Sequence, residues 1–430
     1  MSRTRPFLRM SLSVDTVALA GGGIVSGLAA YAFTVLGLRV FGPVAFAPVA
    51  VLWSLWALAV AGVSFPLQHW IIQAVRGARS DEPLLRRRLS LIAVVVAVSV
   101  LAGLATWAGR HSLFGSSAWL YPVAASGIVV TAGLSGYVRG VLGSRGRFGA
   151  LSGSVVADGT LRLLLAVAIV IAGLGVGGLA LAIPIASLVV VLWSSTFRLS
   201  ASGHEMVGRP VRSGPGALAG SFLVLHLLLN APPVVAAAIG AEPDVVSSLF
   251  AAFALFRAPF LLMSVLGTKV SYLLATNAAE GQVHRLTRFR HAVAAATAGG
   301  FVIGGLLGGT PALWALQLVY GPEVSLATLE GRLILSGSVA AVGVLMLMLL
   351  VSARGASSSS LVPLLAGTAG SAAWVVLASP LDPGLRVSSG FLVGVVTVLL
   401  GLLWADRGLV ARRSCADGEQ TLPSTGGFGS

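Results

Sequence analysis

The chain has 430 residues, 56% of them hydrophobic and only 10% charged, with 28 basic against 14 acidic side chains. Soluble domains carry about 25% charged residues, so an ordinary water-soluble enzyme is excluded and lipid is the solvent that fits this composition. The net charge of +14 forms no concentrated basic face on a soluble domain, which excludes nucleic acid as the partner.

Twelve apolar runs of membrane-spanning length follow one another, near 16–38, 44–65, 90–109, 118–138, 151–173, 177–197, 216–239, 247–267, 291–309, 330–351, 360–379 and 388–405. Backbone groups in hydrocarbon must be paired within their own segment, so each run is expected to be a helix. The first run follows a basic flank (Arg3, Arg5, Arg9) and is too long for a signal-peptide core, so it reads as a retained helix. The fold class is therefore all-α: a polytopic membrane protein of about twelve transmembrane helices. Residues 1–200 form a first six-helix bundle, 201–215 a cytoplasmic linker, 216–406 a second six-helix bundle, and 407–430 a disordered cytoplasmic tail.

Basic residues set the orientation. With the N-terminus inside, 22 of the 28 fall in cytoplasmic segments and only Arg39, Arg110 and Arg386 in outer loops. Missing one helix would swap every later loop, so an even number of spans with both termini cytoplasmic is expected. The segment from Pro66 to Leu89 mixes Trp70, Ile71 and Ile72 with arginines and reads as an interfacial amphipathic stretch. Turns of similar composition, Phe41-Gly42-Pro43 and Gly240-Ala241-Glu242-Pro243, lie six helices apart, and Tyr320-Gly321-Pro322 follows the ninth run. The first two suggest two related halves.

Ionisable residues at membrane depth cost about 2.5–3.5 kcal/mol each on insertion scales and mark candidate sites. Asp158 and Arg162 share a face of the fifth run at i, i+4. They read either as the lining of a polar cavity or as an ion pair that neutralises its own cost. Arg257, beside Pro259, has no acidic residue in its own run, so its partner must be another helix, water or an anionic substrate. His226 and Asn230, again at i, i+4, read as a polar face toward the same cavity or as interhelical glue. Gln68 and His69 end the second helix where an inner entrance would open. Gly300, Gly304 and Gly308, and Gly23 with Gly27, read as small-residue packing faces. Gly173, Gly175 and Gly178 mimic a dinucleotide loop but have no strand before them. Leu422-Pro423-Ser424-Thr425-Gly426 mimics a sorting signal but has no apolar run after it. Neither a phosphate-binding loop nor a nucleophile or zinc constellation is present, so no cofactor, metal or catalysis is expected.

The stretch from Tyr137 through Arg139, Arg145 and Arg147 to Phe148, continued by Asp158-Gly159-Thr160-Leu161-Arg162, resembles the fourth-to-fifth-helix region of Wzx-type polysaccharide flippases. So do the Arg39-Val40-Phe41-Gly42-Pro43 turn, the segment Leu255-Phe256-Arg257-Ala258-Pro259 and the run from Tyr272 to Arg290. The resemblance implies membership of the multidrug/oligosaccharidyl-lipid/polysaccharide (MOP) exporter superfamily. It implies two six-helix bundles around a V-shaped cavity that opens alternately to each side of a bacterial inner membrane. The substrate it implies is a lipid-linked sugar whose pyrophosphate meets Arg162 and Arg257. The partners it implies are membrane lipids and the glycosyltransferases or polymerase of the same pathway. A multidrug or small-solute exporter of the same fold is the alternative; such cavities usually favour acidic residues.

Overall fold

In the computed structural model, which describes residues 14–78, 81–115, 117–198, 215–354 and 356–420, every regular element is helical. The N-terminal basic flank, Arg79, the linker arginines Arg209 and Arg212, and the sorting-signal mimic lie outside the described residues.

The first helix, α1 (Val14–Ala59), contains two predicted spans. A straight helix of 46 residues would be about 69 Å long, more than twice the hydrocarbon thickness. The chain instead turns back at Gly42, whose φ of +74° is open to glycine without strain, with Pro43 next to it. Phe33 and Trp53, about 30 Å apart along a straight helix, stack at 4.8 Å across this hairpin. The two other Gly-Pro turns of the sequence also carry a left-handed glycine, Gly240 and Gly321.

A π-helical turn, Val60–Ser64, joins α1 to α2 (Phe65–Ala78). The segment read as an interfacial loop is thus helical from its start. Then come α3 (Glu82–Ala108), the short α4 (Arg110–Phe114), α5 (Leu120–Ser144), α6 (Phe148–Ile171) and α7 (Gly175–Ser187), which runs into a 3₁₀ segment, Leu188–Phe197. Next are α8 (Pro215–Asn230) and α9 (Pro232–Ala238), bent by 56° at Ala231, and α10 (Pro243–Phe256) and α11 (Ala258–Ala279), bent by 43° at Arg257. The chain ends with α12 (Val283–Leu307), α13 (Thr310–Tyr320), α14 (Thr328–Ala353), α15 (Leu361–Leu377) and α16 (Pro383–Gln420). Among the described residues nine helices are long and apolar enough to cross a membrane. One of them, Gly21–Ile72, contains the α1 hairpin and supplies two crossings, and the two bent pairs supply one each. The twelve expected spans are thereby accounted for. Helix α16 continues past Asp406 into the segment expected as a disordered tail.

The chain clusters into two compact units: residues 1–215, 233–251 and 317–324 form the first, and residues 216–232, 252–316 and 325–430 the second. In the first, α1 packs on α6 through small residues. A Cβ on Gly22 would lie 2.1 Å from Ser152 Oγ, and one on Gly159 would lie 2.7 Å from Ser26 Oγ. The packing face of α1 is thus Gly22 and Ser26, one residue away from the Gly23–Gly27 face read from sequence, where added Cβ atoms would meet nothing within 4 Å. Lipid and protein interior are equally apolar to a glycine, so hydropathy cannot set the rotation of such a helix. Helix α5 crosses the π-turn so closely that a Cβ on Gly136 would sit 2.6 Å from the Ser64 carbonyl. At the turn of α1, Arg39 Nε donates to the Val319 carbonyl at 2.9 Å and its Nη2 donates to Leu318, closing the C-terminal end of α13. Ser247 donates to the Pro43 carbonyl, and Phe250 lies 5.9 Å from Phe46.

In the second unit α14 is the central helix, buried over most of its length. Its contact with α12 is made by the expected glycine face. A Cβ on Gly304 would lie 2.9 Å from Ser336 Cα, and one on Gly308 would lie 2.5 Å from Arg332 Cα. Such approaches replace the missing hydrophobic drive with dense dispersion contact.

Candidate functional site

In the first unit Asp158 lies on α6 at about 15 Å along a 36 Å helix, and Arg162 one turn further. Both are buried, at 6% and 2% exposure. Arg162 Nη2 donates to Asp158 Oδ1 at 2.7 Å and to Ser187 Oγ at 3.2 Å, and Ser187 Oγ donates to the same carboxylate oxygen at 3.0 Å. The other oxygen, Oδ2, accepts from Arg139 Nη2 at 3.1 Å. Arg139 Nε reaches Ser154 Oγ at 3.4 Å. The residues read as one ion pair are therefore a triad: one carboxylate against two guanidinium groups, a net of one positive charge. The Nε of Arg162 is buried with no hydrogen-bond partner among the described residues. Its guanidinium carbon sits 4.3 Å from the ring centre of Trp56 and 5.3 Å from that of Trp53. Solvating such an excess in hydrocarbon is costly, whereas an anion placed beside the guanidinium would offset it.

Arg139, at the end of an apolar run, has the sequence signature of an ordinary cytoplasmic anchor. The backbone continues as α5 to Ser144 and carries Arg139 to Asp158. The two tryptophans carry a signal in the sequence: both fall mid-run, away from the interfaces where tryptophan is usual.

In the second unit the polar residues form a chain along two broken helices. His226 Nδ1 donates to the Phe222 carbonyl at 2.9 Å, and Asn230 Nδ2 donates to the His226 carbonyl at 2.8 Å. Arg257 Nη1 donates to Asn230 Oδ1. Asn230 ends α8 at one bend and Arg257 stands at the other, so this bond joins the two breaks. The partner left open by the sequence includes Asn230, which orients the guanidinium without neutralising it. His226 meets Phe260 edge-on at 6.0 Å. Both readings of the His226–Asn230 face, cavity lining and interhelical glue, are compatible with these contacts.

Gln68 and His69 are not drawn into the Asp158 cluster. His69 is exposed and its Nδ1 donates to the Phe65 carbonyl of its own helix at 2.9 Å, while Gln68 is half-buried on α2. The second unit holds a further triad. Asp406, fully buried on α16, lies 2.7 Å from Arg354 Nε and 3.4 Å from Arg290 Nη1. It joins the ends of α12 and α14 to α16 and reads as a structural knot of the second unit.

No family model matches the chain, and no curated protein matches it in sequence. Solved structures match over nearly its whole length. One is a multidrug resistance MATE family transporter of the MOP superfamily in its inward-facing conformation, 20% identical, with a TM-score of 0.60 over 94% of this chain and 97% of that one. The outward-facing conformation of such a transporter matches with 18% identity and a TM-score of 0.55, over 93% and 96% of the two chains. A MOP superfamily transporter from Pyrococcus furiosus, described as having a binding pocket of reversed polarity, matches with 16% identity and a TM-score of 0.52, over 93% and 96%. The fold is that of the MATE transporters of the MOP superfamily.

Proposed function

We propose that the protein is an exporter of this fold that works by alternating access, and that it carries an anionic lipid-linked saccharide from the inner to the outer leaflet of a bacterial cytoplasmic membrane. The first part is supported by likeness to relatives solved in inward- and outward-facing conformations. The second is carried by one observation: at membrane depth one carboxylate, Asp158, faces the buried Arg162 and the half-buried Arg139, and Arg162 retains a buried Nε with no acceptor among the described residues. A phosphate oxygen is the natural acceptor, since guanidinium geometry matches it. Arg257, held at a helix break by Asn230, supplies a second cation of the kind found where broken helices bind substrates.

An interior-negative membrane favours outward movement of an anion by about 2.3 kcal/mol per charge per 100 mV, so no ATP is required. The basic residues of the sequence support cytoplasmic termini, and the pathway's glycosyltransferases or polymerase would be the partners. The second reading, a multidrug exporter, has in its favour the naming of the inward- and outward-facing neighbours. The same fold serves pockets of opposed polarity, as the Pyrococcus furiosus relative is described, so the local charge decides. Here it disfavours a cationic drug.

The test is a flipping assay in proteoliposomes with a fluorescent undecaprenyl-pyrophosphate saccharide, read by chemical quenching. Arg162→Gln and Arg257→Gln are each expected to lower the rate by about tenfold or more, the loss of one charged hydrogen bond. Undiminished rates in both would overturn the anion reading.

A further inference from the structure

Three aromatic rings step toward the Arg162 guanidinium. Phe33, wholly buried, stacks on Trp53 at 4.8 Å with 24° between the planes. Trp53, 5% exposed, leads to Trp56 at 5.1 Å and 48°. Trp56 is only half-buried, so the ladder ends on an indole with accessible surface. Arg162 lies over both indoles, closer to Trp56.

Ordinary reasons for tryptophan do not cover this pair. Membrane tryptophans gather at the two interfaces, but positions 53 and 56 are central in the 44–65 run. Cation–π contact with Arg162 accounts for one side of these rings, but not for the accessible surface that Trp56 retains. What an indole adds is a broad, flat, electron-rich face. A guanidinium already held against one face of the ring repels a cationic guest from the surface that stays accessible. A guest that is flat, uncharged at the ring and acidic next to it suits both features. A pyranose ring, whose C–H bonds present one apolar face and whose hydroxyls point outward, joined to a phosphate, is such a guest.

We propose that Trp56, backed by Trp53 and Phe33, reads the first sugar of the substrate by stacking, while Arg162 takes the adjoining phosphate. The inference rests on the anionic lipid-linked substrate proposed above and adds to it the determinant of sugar recognition.

The test uses the full-length protein in lipid nanodiscs and two probes, undecaprenyl pyrophosphate and undecaprenyl-pyrophosphoryl-N-acetylglucosamine. The protein is expected to bind the sugar-bearing probe roughly three- to tenfold more tightly, the worth of one stacked ring. Trp56→Leu should erase that preference, the two probes then binding within about twofold of each other, and Trp56→Phe, which keeps a ring, should retain part of it. Equal binding of both probes by the parent protein would overturn the inference and leave the pyrophosphate reading intact. So would a Trp56→Leu protein that keeps the preference, or one that loses both probes equally, the mark of a structural ring. Failure of the parent to bind either probe would remove the substrate reading and this inference with it.

Discussion

Replacing Asp158 by asparagine keeps the shape of the side chain and removes its charge. In the parent the carboxylate accepts from Arg162, Arg139 and Ser187 at 2.7, 3.1 and 3.0 Å. An amide keeps one acceptor oxygen and turns a donor toward the other guanidinium. Both arginines are largely buried, with side-chain exposures of 12% and 2%, so water does little to screen the loss. Removing one partner of a buried ion pair costs about 3–5 kcal/mol. At about 2 °C per kcal/mol for a long chain, Asp158→Asn should melt roughly 6–10 °C below the parent in a thermal unfolding scan of the detergent-solubilised protein. Adding Arg139→Gln to it removes one of the two surplus cations and should recover part of that loss. Inorganic pyrophosphate should raise the melting temperature of Asp158→Asn more than that of the parent, because it meets two uncompensated guanidinium groups. A variant that melts with the parent and ignores pyrophosphate would refute the reasoning, since the carboxylate would then not be holding two buried charges.

In the second unit, Asp406→Asn should cost about 3–5 kcal/mol by the same logic, because Arg354 and Arg290 both face that carboxylate; a thermal scan measures it. Gly304→Val pushes a side chain into the backbone at Ser336, 2.9 Å from the new Cβ, and should destabilise by about 1–3 kcal/mol, whereas Gly299→Ala meets nothing within 4 Å and should be neutral in the same scan. Arg39→Ala frees the carbonyls of Leu318 and Val319, and faster amide exchange is expected across residues 317–324 with the melting of α6 unchanged.

The spans were legible because hydropathy and length are all that lipid demands of a helix. The sharp reversal at Gly42 was legible too, since glycine followed by proline stops one helix and starts another. Helix rotation was not legible. In water a packing face is apolar and the other face polar, but α1 is apolar all round. The true face, Gly22 and Ser26, therefore lay one residue from the expected one. The site was half legible for the same reason. Asp158 and Arg162 declared themselves as charges in an apolar run, and Asn230 and Arg257 as polar groups near helix breaks. Arg139 did not, because a charge near the end of a run looks like an ordinary cytoplasmic anchor until the structure shows which way it turns. The Arg290–Asp406–Arg354 knot was hidden likewise, its members lying far apart in sequence, two at helix ends and one inside α16.

The central claim is that the buried cationic excess selects an anionic lipid-linked cargo. The most direct measurement sets an undecaprenyl-pyrophosphate saccharide against a cationic dye in the same proteoliposomes, with and without an imposed interior-negative potential. The account predicts outward movement of the anionic lipid, faster under the potential, and no movement of the dye above protein-free vesicles. Transport of the dye with the anionic lipid left in place would contradict it.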